Sequence, residues 1–491
     1  MTKNEILAIQ TLQKNFGFTN FRSGQLEIVL AILEHKDVLA ILPTGGGKSL
    51  CFQVPALILK GTTLVISPLI SLMKDQVDHL EKVGIAASYL SSNLNSTEIE
   101  TRLNKLAKGK YKLFYLAPER LVNDKITQIC QQIEIAYLVI DEAHCISLWG
   151  HQFRPSYQEI PKFVEKIQKN KKKIAIAAFT ATATNLVREE IKQYLALEKP
   201  LVFEGGFLRE NLIFHNLICD STWTKNLYLF KLLKMHQSEN IIIYCSTRIE
   251  CQRLLKLIKF YDFAHLYRAN LYHGGLDKKQ REQNQNDFLS GKIKIMIATN
   301  AFGMGVDKSD IRVVIHYQIS ANLENYYQEA GRAGRDGQES YVYLLYYEKD
   351  LLIQAQMINN NYPDEKNFRR QLEIKKLEQI RNYALSQTCL QAKIVQYFGR
   401  NEQLTRCQHC YLCLQRRIEL TKQEKKFIKK LEEINQLYLN KITYQKLPNL
   451  FTIKQMELMA ILQPKSLEDL QKIPGVGSDI ISFYANQRGG S

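Results

Sequence analysis

The sequence predicts an α/β protein: two successive units of parallel strands with crossover helices, then a helical stretch carrying a cysteine cluster, then a short helical tail. Three observations predict it. Short apolar runs alternate with helix-like segments as far as residue 317, a triple glycine stands between one such run and a helix, and strand signals stop after about Tyr347. The 491 residues are 45% apolar and 23% charged, enough for about three or four packed domains and too apolar for wholesale disorder.

The runs DVLAIL, TTLVIS, YLVIDEAH and KIAIAAFT fall in the first 180 residues, and NIIIYCS, IKIMIAT and IRVVIHY between 240 and 317. Four to eight apolar residues bounded by turn or polar residues read as strands covered on both faces. The stretch LVFEGGFLRENLIFH, around Gly205 and Gly206, reads as the linker between the units. The expected division is therefore 1–205, 206–346, 347–415 for the helical cysteine-bearing part, and 416–491 for the tail. Sixty-six Lys and Arg against 49 Asp and Glu leave a net charge of +17, which favours a polyanionic partner. Neither a signal peptide nor a membrane span is evident, so a cytoplasmic protein without a membrane partner is expected. In that compartment the 10 cysteines read as buried thiols or metal ligands.

LPTGGGKSL at 42–50 lies between the run VLAIL and an amphipathic helix. Thr44, Gly45, Gly46 and Gly47 would let backbone N–H groups close around a phosphate at a helix N-terminus. Lys48 would reach the β and γ phosphates, and Ser49 would ligate magnesium. The first glycine of the usual phosphate-loop pattern is Leu42 here, so taken alone the motif also fits a glycine turn that starts a helix. The second half of the site comes about ninety residues later, where Asp141 and Glu142 end the run YLVI. Asp141 would hold magnesium and Glu142 would accept the proton of the attacking water. In QEAGRAGRDG at 328–337, Arg332 and Arg335 stand at i, i+3, facing one way if helical, and could meet charge on a γ phosphate.

FGFTNFRSGQ, LPTGGGKS, SPLISLMKDQVDHL, YLAPERL, DEAHCISLWGHQFRPSY, FTATAT, IIIYCSTR, ATNAFGMGVDK and YYQEAGRAGRDG occur in this order. Together they resemble the RecQ helicases of superfamily 2, over about residues 10–415. The resemblance implies two RecA-like P-loop lobes, a helical zinc-binding subdomain, and a 3′ to 5′ DNA helicase that uses ATP and Mg2+ in repair or recombination. It implies that Gln25 reads the adenine edge with Arg22 in support, that Arg335 is the arginine finger, and that Arg332 and Gln328 line the same interface. Thr180 and Thr182 match the relay between nucleotide and DNA. The segment after DEAH is similar to the family's aromatic-rich loop, so Trp149, Phe153 and Tyr157 are expected to stack on bases while His151 and Arg154 contact bases or phosphates. Thr299, Gly303 and Gly305 would grip DNA in the second lobe. The chain departs from the family at Leu148, usually Gln, at Gln152, usually Asp, and at Ser23, usually Pro.

Cys407, Cys410 and Cys413 form C-x-x-C-x-x-C, with Cys389 eighteen residues upstream of the first. Four thiolates suit a tetrahedral ion. The same spacing begins an iron–sulfur run, although the following C-P is missing; the resemblance points to Zn2+. His409 reads as a bystander. The tail lacks the strand signals of a full winged helix, and SLEDLQKIPGVGSDII resembles the end of an HRDC domain or a helix-hairpin-helix. The expected partner is single-stranded or tailed and forked DNA in a nucleoid-associated setting. An RNA-dependent ATPase, or a DNA-stimulated translocase or annealing protein with little unwinding, are the competing expectations.

Overall fold

The structure is a computed structural model describing residues 1–43, 45–91, 94–147, 149–150, 153–169, 173–206, 208–262, 266–303, 308–399, 404–415, 418, 421–441, 451–477 and 480–482, with side chains described only to 434 in the helix ending at 441. The first seven strands are β1 (Val38–Ile41), β2 (Thr62–Ile66), β3 (Ala87–Leu90), β4 (Leu113–Leu116), β5 (Ile135–Ile140), β6 (Ile176–Thr180) and β7 (Leu201–Glu204). They form one parallel sheet in the order β3-β4-β2-β5-β6-β1-β7. β8 (Leu212–Ile218), β9 (Asn240–Tyr244), β10 (Ala269–Tyr272), β11 (Ile295–Ala298), β12 (Ile311–His316) and β13 (Ser340–Tyr346) form a second parallel sheet, β10-β11-β9-β12-β13-β8.

All seven apolar runs are strands. The six strands that no run announced are the four edge strands β3, β7, β8 and β10 and their inner neighbours β4 and β13. An edge strand leaves side chains half in solvent, so its sequence mixes polar with apolar residues: β10 is half-buried throughout, whereas β1 is buried throughout. The stretch read as a linker holds β7 and β8 at its ends, and Gly205 and Gly206 lie between them.

Helices Asp350–Asn361, Phe368–Ala384, Leu390–Tyr397 and Tyr411–Leu414 follow, and no strand occurs after Tyr346 among the described residues. This part is fastened to both units. Asn216 Nδ2 donates to the carbonyls of Tyr383 (3.0 Å) and Ala384 (3.2 Å), and Arg188 Nη2 donates to the Phe398 carbonyl (2.8 Å).

The tail folds as helices Lys422–Lys441, Ile453–Leu462 and Leu467–Gln471. It packs on helix Thr222–Met235 of the second unit, where Met456, Met459, Ile473 and Val476 share a core with Leu229, Leu232 and Leu233. Buried Glu424 pairs there with Lys231 (3.1 Å) and Lys234 (3.3 Å). In IPGVG, Ile473 and Val476 point inward and Gln455 Nε2 donates to the Pro474 carbonyl (2.7 Å), while Pro474, Gly475 and Gly477 stay exposed. Among the described residues no helix is long and apolar enough to cross a membrane.

Candidate active site and nucleic-acid interface

The site forms at the carboxyl ends of β1, β5 and β6, where a parallel sheet opens its crevice. β1 ends at Ile41, and the amide of Leu42 donates to the Thr180 carbonyl (3.0 Å). Gly45 and Gly47 have φ of 77° and 73°, where a side chain would be strained. A Cβ on Gly47 would also fall 2.4 Å from Gln25 Nε2. Buried Gln25 donates to the Gly46 (3.0 Å) and Gly47 (3.2 Å) carbonyls, and Arg22 Nη1 donates to the Gly45 carbonyl (2.5 Å). The two residues expected at the base edge therefore hold the glycine loop itself. Lys48 and Ser49 open helix Lys48–Ile58, with Gly46 and Gly47 at its mouth. Thr44 lies outside the described residues.

Asp141 follows β5 directly. Its amide donates to Ile66 O (2.9 Å), Ser67 Oγ donates to its Oδ2 (3.2 Å), and the Tyr157 hydroxyl donates to its carbonyl (2.8 Å). Burial, and then the neighbouring Glu142 charge, raise the Asp141 carboxyl to about 6. A carboxylate so placed gains from a cation, which fits it to magnesium. Glu142 adopts φ 47° and ψ 48°, an uncommon left-handed conformation for a residue with a side chain. That turn aims its carboxylate at Lys48 Nζ (3.7 Å) and His144 Nδ1 (3.3 Å). His144 Nδ1 also lies 2.9 Å from Thr180 Oγ1, and Thr180 Oγ1 donates to the Thr182 carbonyl (3.0 Å). Burial, reinforced by the Lys48 charge, lowers the His144 imidazole to about 3 and keeps it neutral.

The second sheet brings Arg335 to the glycine loop: a Cβ on Gly45 would lie 3.0 Å from Arg335 Cγ. Between them is a cavity of about 350 Å3 lined by Arg22, Gly45, Gly46, Arg209, Gly334 and Arg335. Arg332 does not share it. Helix Leu323–Ala330 ends before both arginines, so they do not face one way, and buried Arg332 donates to the Gly303 carbonyl inside its own unit. Gln328 lies half-buried on that helix. Sequence reasoning missed Arg209 and Asn211, which hold the turn before Arg335 by donating to the Gly334 carbonyl (3.1 and 2.8 Å). They sit in LRENL, where no motif marks them.

Of the aromatic loop, Trp149, Phe153 and Arg154 are half-buried, and His151 lies outside the described residues, as do Leu148 and Gln152. Arg154 Nη1 donates to the Pro68 carbonyl (2.9 Å). Tyr157 is a correction: it is fully buried, and its hydroxyl supports the Asp141 backbone, so its ring has no face for a base. In the second unit Thr299 is buried and Gly303, with φ 144°, packs on the Arg332 guanidinium; Gly305 lies outside the described residues.

The sulfurs of Cys389, Cys407, Cys410 and Cys413 lie within 4.8 Å of one another, with Sγ pairs 407–413 at 4.0 Å and 389–410 at 3.9 Å. Ligands ~2.3 Å from a tetrahedral zinc are ~3.8 Å apart, so the cluster fits that ion. Backbone N–H groups of Cys407 (3.2 Å) and Ala392 (3.4 Å) point at Cys389 Sγ, and those of Cys410 (3.1 Å) and His409 (3.3 Å) at Cys407 Sγ, as thiolate acceptors require. The imidazole of His409 is not part of the cluster.

The chain matches the family models for the DEAD/DEAH box helicase over residues 22–190, the helicase conserved C-terminal domain over 224–337, and RecQ zinc-binding over 348–414. It is 44% identical to the ATP-dependent DNA helicase RecQ of Bacillus subtilis, across 81% of this chain and 65% of that protein. It is 40% identical to the one from Pasteurella multocida, across 83% and 62%, and 38% identical to a putative ATP-dependent RNA helicase of Acanthamoeba polyphaga mimivirus, across 84% and 73%. The chain thus spans just under two thirds of the length of the bacterial relatives. The DNA- and AMPPNP-bound DUF1998 helicase MrfA shares the fold with TM-score 0.59 at 18% identity, over 82% of this chain and 58% of that one. Mycobacterium smegmatis helicase Lhr does so with 0.55 at 19%, over 72% and 49%.

Proposed function

Because the chain belongs to the RecQ family of superfamily 2 helicases, we propose that it is an ATP- and magnesium-dependent 3′ to 5′ DNA helicase serving repair or recombination in the cytoplasm, at the nucleoid. One observation carries the reading: Arg335 of the second unit lies against Gly45 of the first. A nucleotide on the glycine loop would therefore be sealed between the units, and its hydrolysis can change how they meet.

In this reading residues 1–205 and 206–346 are the motor lobes, 347–415 the zinc-binding subdomain, and 416–491 an accessory helical region. Gly45 to Gly47 and Lys48 hold the phosphates, and Ser49 and Asp141 hold magnesium, which neutralises phosphate charge. Glu142 takes the proton of the attacking water; Lys48 and the neutral His144 imidazole lie beside its carboxylate, and Thr180 orients that imidazole. Arg335 meets the charge that develops on the leaving phosphates. Arg332 positions the Gly303 segment rather than touching nucleotide. Trp149 and Phe153 stack on single-stranded DNA, and tailed or forked duplexes are the substrates. Backbone contacts dominate affinity, so binding weakens steeply with salt.

The test is ATP-driven displacement of duplexes carrying a 3′ or a 5′ single-stranded tail, with Lys48→Ala as the blank and RNA as a competing activator. Displacement confined to the 3′ tail and lost in the blank supports the reading. DNA-stimulated hydrolysis without displacement would leave a translocase or annealing protein, and stimulation by RNA alone would make it an RNA-dependent ATPase.

A further inference from the structure

The loop after DEAH is gripped from outside its own unit by helix Phe368–Ala384. The Phe368 ring meets the Trp149 ring edge-on, with centroids 4.6 Å apart and planes at 83°. Arg369 Nη1 donates to the Gly150 carbonyl (3.3 Å), and its guanidinium sits 4.8 Å over the Phe153 ring. Two turns on, Lys376 Nζ donates to the Trp149 carbonyl (2.8 Å). The Lys376 side chain is only 6% exposed, and its other partner is Glu324 Oε1 at 3.5 Å, itself buried. Glu324 stands in the first turn of helix Leu323–Ala330, the helix that leads to Arg335.

Lys376 thus joins three elements: the loop of the first unit, the arginine-bearing segment of the second, and the helical subdomain. A buried ammonium paired this way adds little net stability compared with an apolar residue of its size, because desolvation offsets the attraction. Its best-attested use is to fix the register of the elements it joins. The loop is equally tight on its other side. A Cβ on Gly150 would fall 2.3 Å from the His144 carbonyl, the Gly150 amide donates to the Ser147 carbonyl (3.0 Å), and His144 lies beside Glu142.

We propose that Lys376 is a positioning residue that holds the aromatic loop against the helical subdomain and couples loop displacement, through Glu324, to the segment bearing Arg335. This deepens the helicase reading and rests on it. A base stacking on Trp149 competes with the Phe368 edge. Once the loop leaves, the Trp149 carbonyl no longer engages Lys376, and Lys376, still paired with Glu324, can move with the helix that leads to Arg335. While these contacts hold, hydrolysis should stay slow.

The experiment is steady-state ATP hydrolysis with and without saturating oligo(dT), on zinc-loaded full chain, for Lys376→Met/Glu324→Gln, which removes both charges of the buried pair and leaves Glu373 to Arg369, Lys376→Arg, and the exposed Phe368→Ala, which does not depend on refolding a core. In the double variant and in Phe368→Ala, DNA-free kcat should rise about five-fold or more, while KM for ATP and DNA-stimulated kcat stay within about two-fold; Lys376→Arg should keep the wild-type ratio. In a Trp223→Phe background Trp149 is the sole tryptophan, and its DNA-free emission should shift in the double variant towards the DNA-bound value. A stimulation ratio unchanged within about two-fold, or a fall in DNA-free kcat, overturns the proposal. Wild-type chain without any DNA-stimulated hydrolysis would instead overturn the helicase reading itself.

Discussion

The cysteine cluster and the nucleotide cleft are both built from amide-rich turns, and they differ in how completely the protein satisfies them. Around the cysteines, four backbone N–H groups already point at two of the sulfurs, and the Sγ spacings suit one small ion. In the cleft, Lys48 and Glu142 stand 3.7 Å apart, Glu142 keeps an unfavourable backbone conformation, and the cavity beside Gly45 stays open. The first arrangement is closed and static, and so contributes to folding. The second combines a strained turn at Glu142, the adjacent buried carboxyl of Asp141 and the Lys48 ammonium, a charge arrangement suited to a cation and phosphate groups.

If that contrast is right, damage to the two sites separates cleanly. Cys410→Ser should cost several kcal/mol of stability, lowering Tm by about 10 °C with loss of bound zinc, while hydrolysis per folded molecule persists at low temperature; metal analysis beside a thermal melt reads both. Glu142→Gln should do the opposite, cutting kcat by about 10²- to 10⁴-fold with an almost unchanged melt. Arg335→Ala should lower kcat by about 10³-fold with little change in the melt, whereas Arg332→Ala, which strips a buried guanidinium from the Gly303 carbonyl, should first lower Tm.

Smaller effects sharpen the same line within the aromatic loop. Trp149→Ala should weaken oligo(dT) binding by about 1 to 3 kcal/mol, measured by fluorescence anisotropy, whereas Tyr157→Phe should leave binding unchanged and remove about 1 kcal/mol of stability with its bond to Asp141. Another concerns acid. Burial lowers His236 to about 4, whereas an unfolded histidine titrates near 6.5. Between those values the unfolded chain binds a proton that the native chain refuses, so stability is lost as pH falls through that window, by at most about 1.4 kcal/mol per pH unit. His236→Gln should reduce the slope of Tm against pH there, the buried neutral His144 supplying a remaining slope of the same sign.

Legibility in the sequence followed burial. Most central strands are apolar on both faces and declare themselves, whereas β7 and β10 are half-wet and do not; β4, β8 and β13 are largely buried, but their tyrosines and polar residues break the apolar run. Local motifs placed Lys48, Asp141, Glu142 and the four cysteines, because their spacing is set by one turn or one strand end. Roles that depend on distant partners were harder. Arg332 and Arg335 look equivalent along the chain, and only the end of helix Leu323–Ala330 sends one inward and the other across the cleft. Tyr157 reads as a stacking ring until the carbonyl of Asp141 is seen to claim its hydroxyl. Arg209 and Asn211 carry no local signal, since what they hold lies more than a hundred residues away.

One covalent strand joins the two sheets, and it starts at the phosphate loop. The Gly205 amide donates to the Ile41 carbonyl at 2.7 Å, and a Cβ there would press on Leu42 and Pro43. If the two sheet units move against one another in a nucleotide cycle, as the helicase reading requires, their covalent connection is anchored at the root of the glycine loop. On such a lever the short arm would end at the glycine loop and the long arm at the outer strands, so a small displacement in the cleft would become a larger one at the far surface.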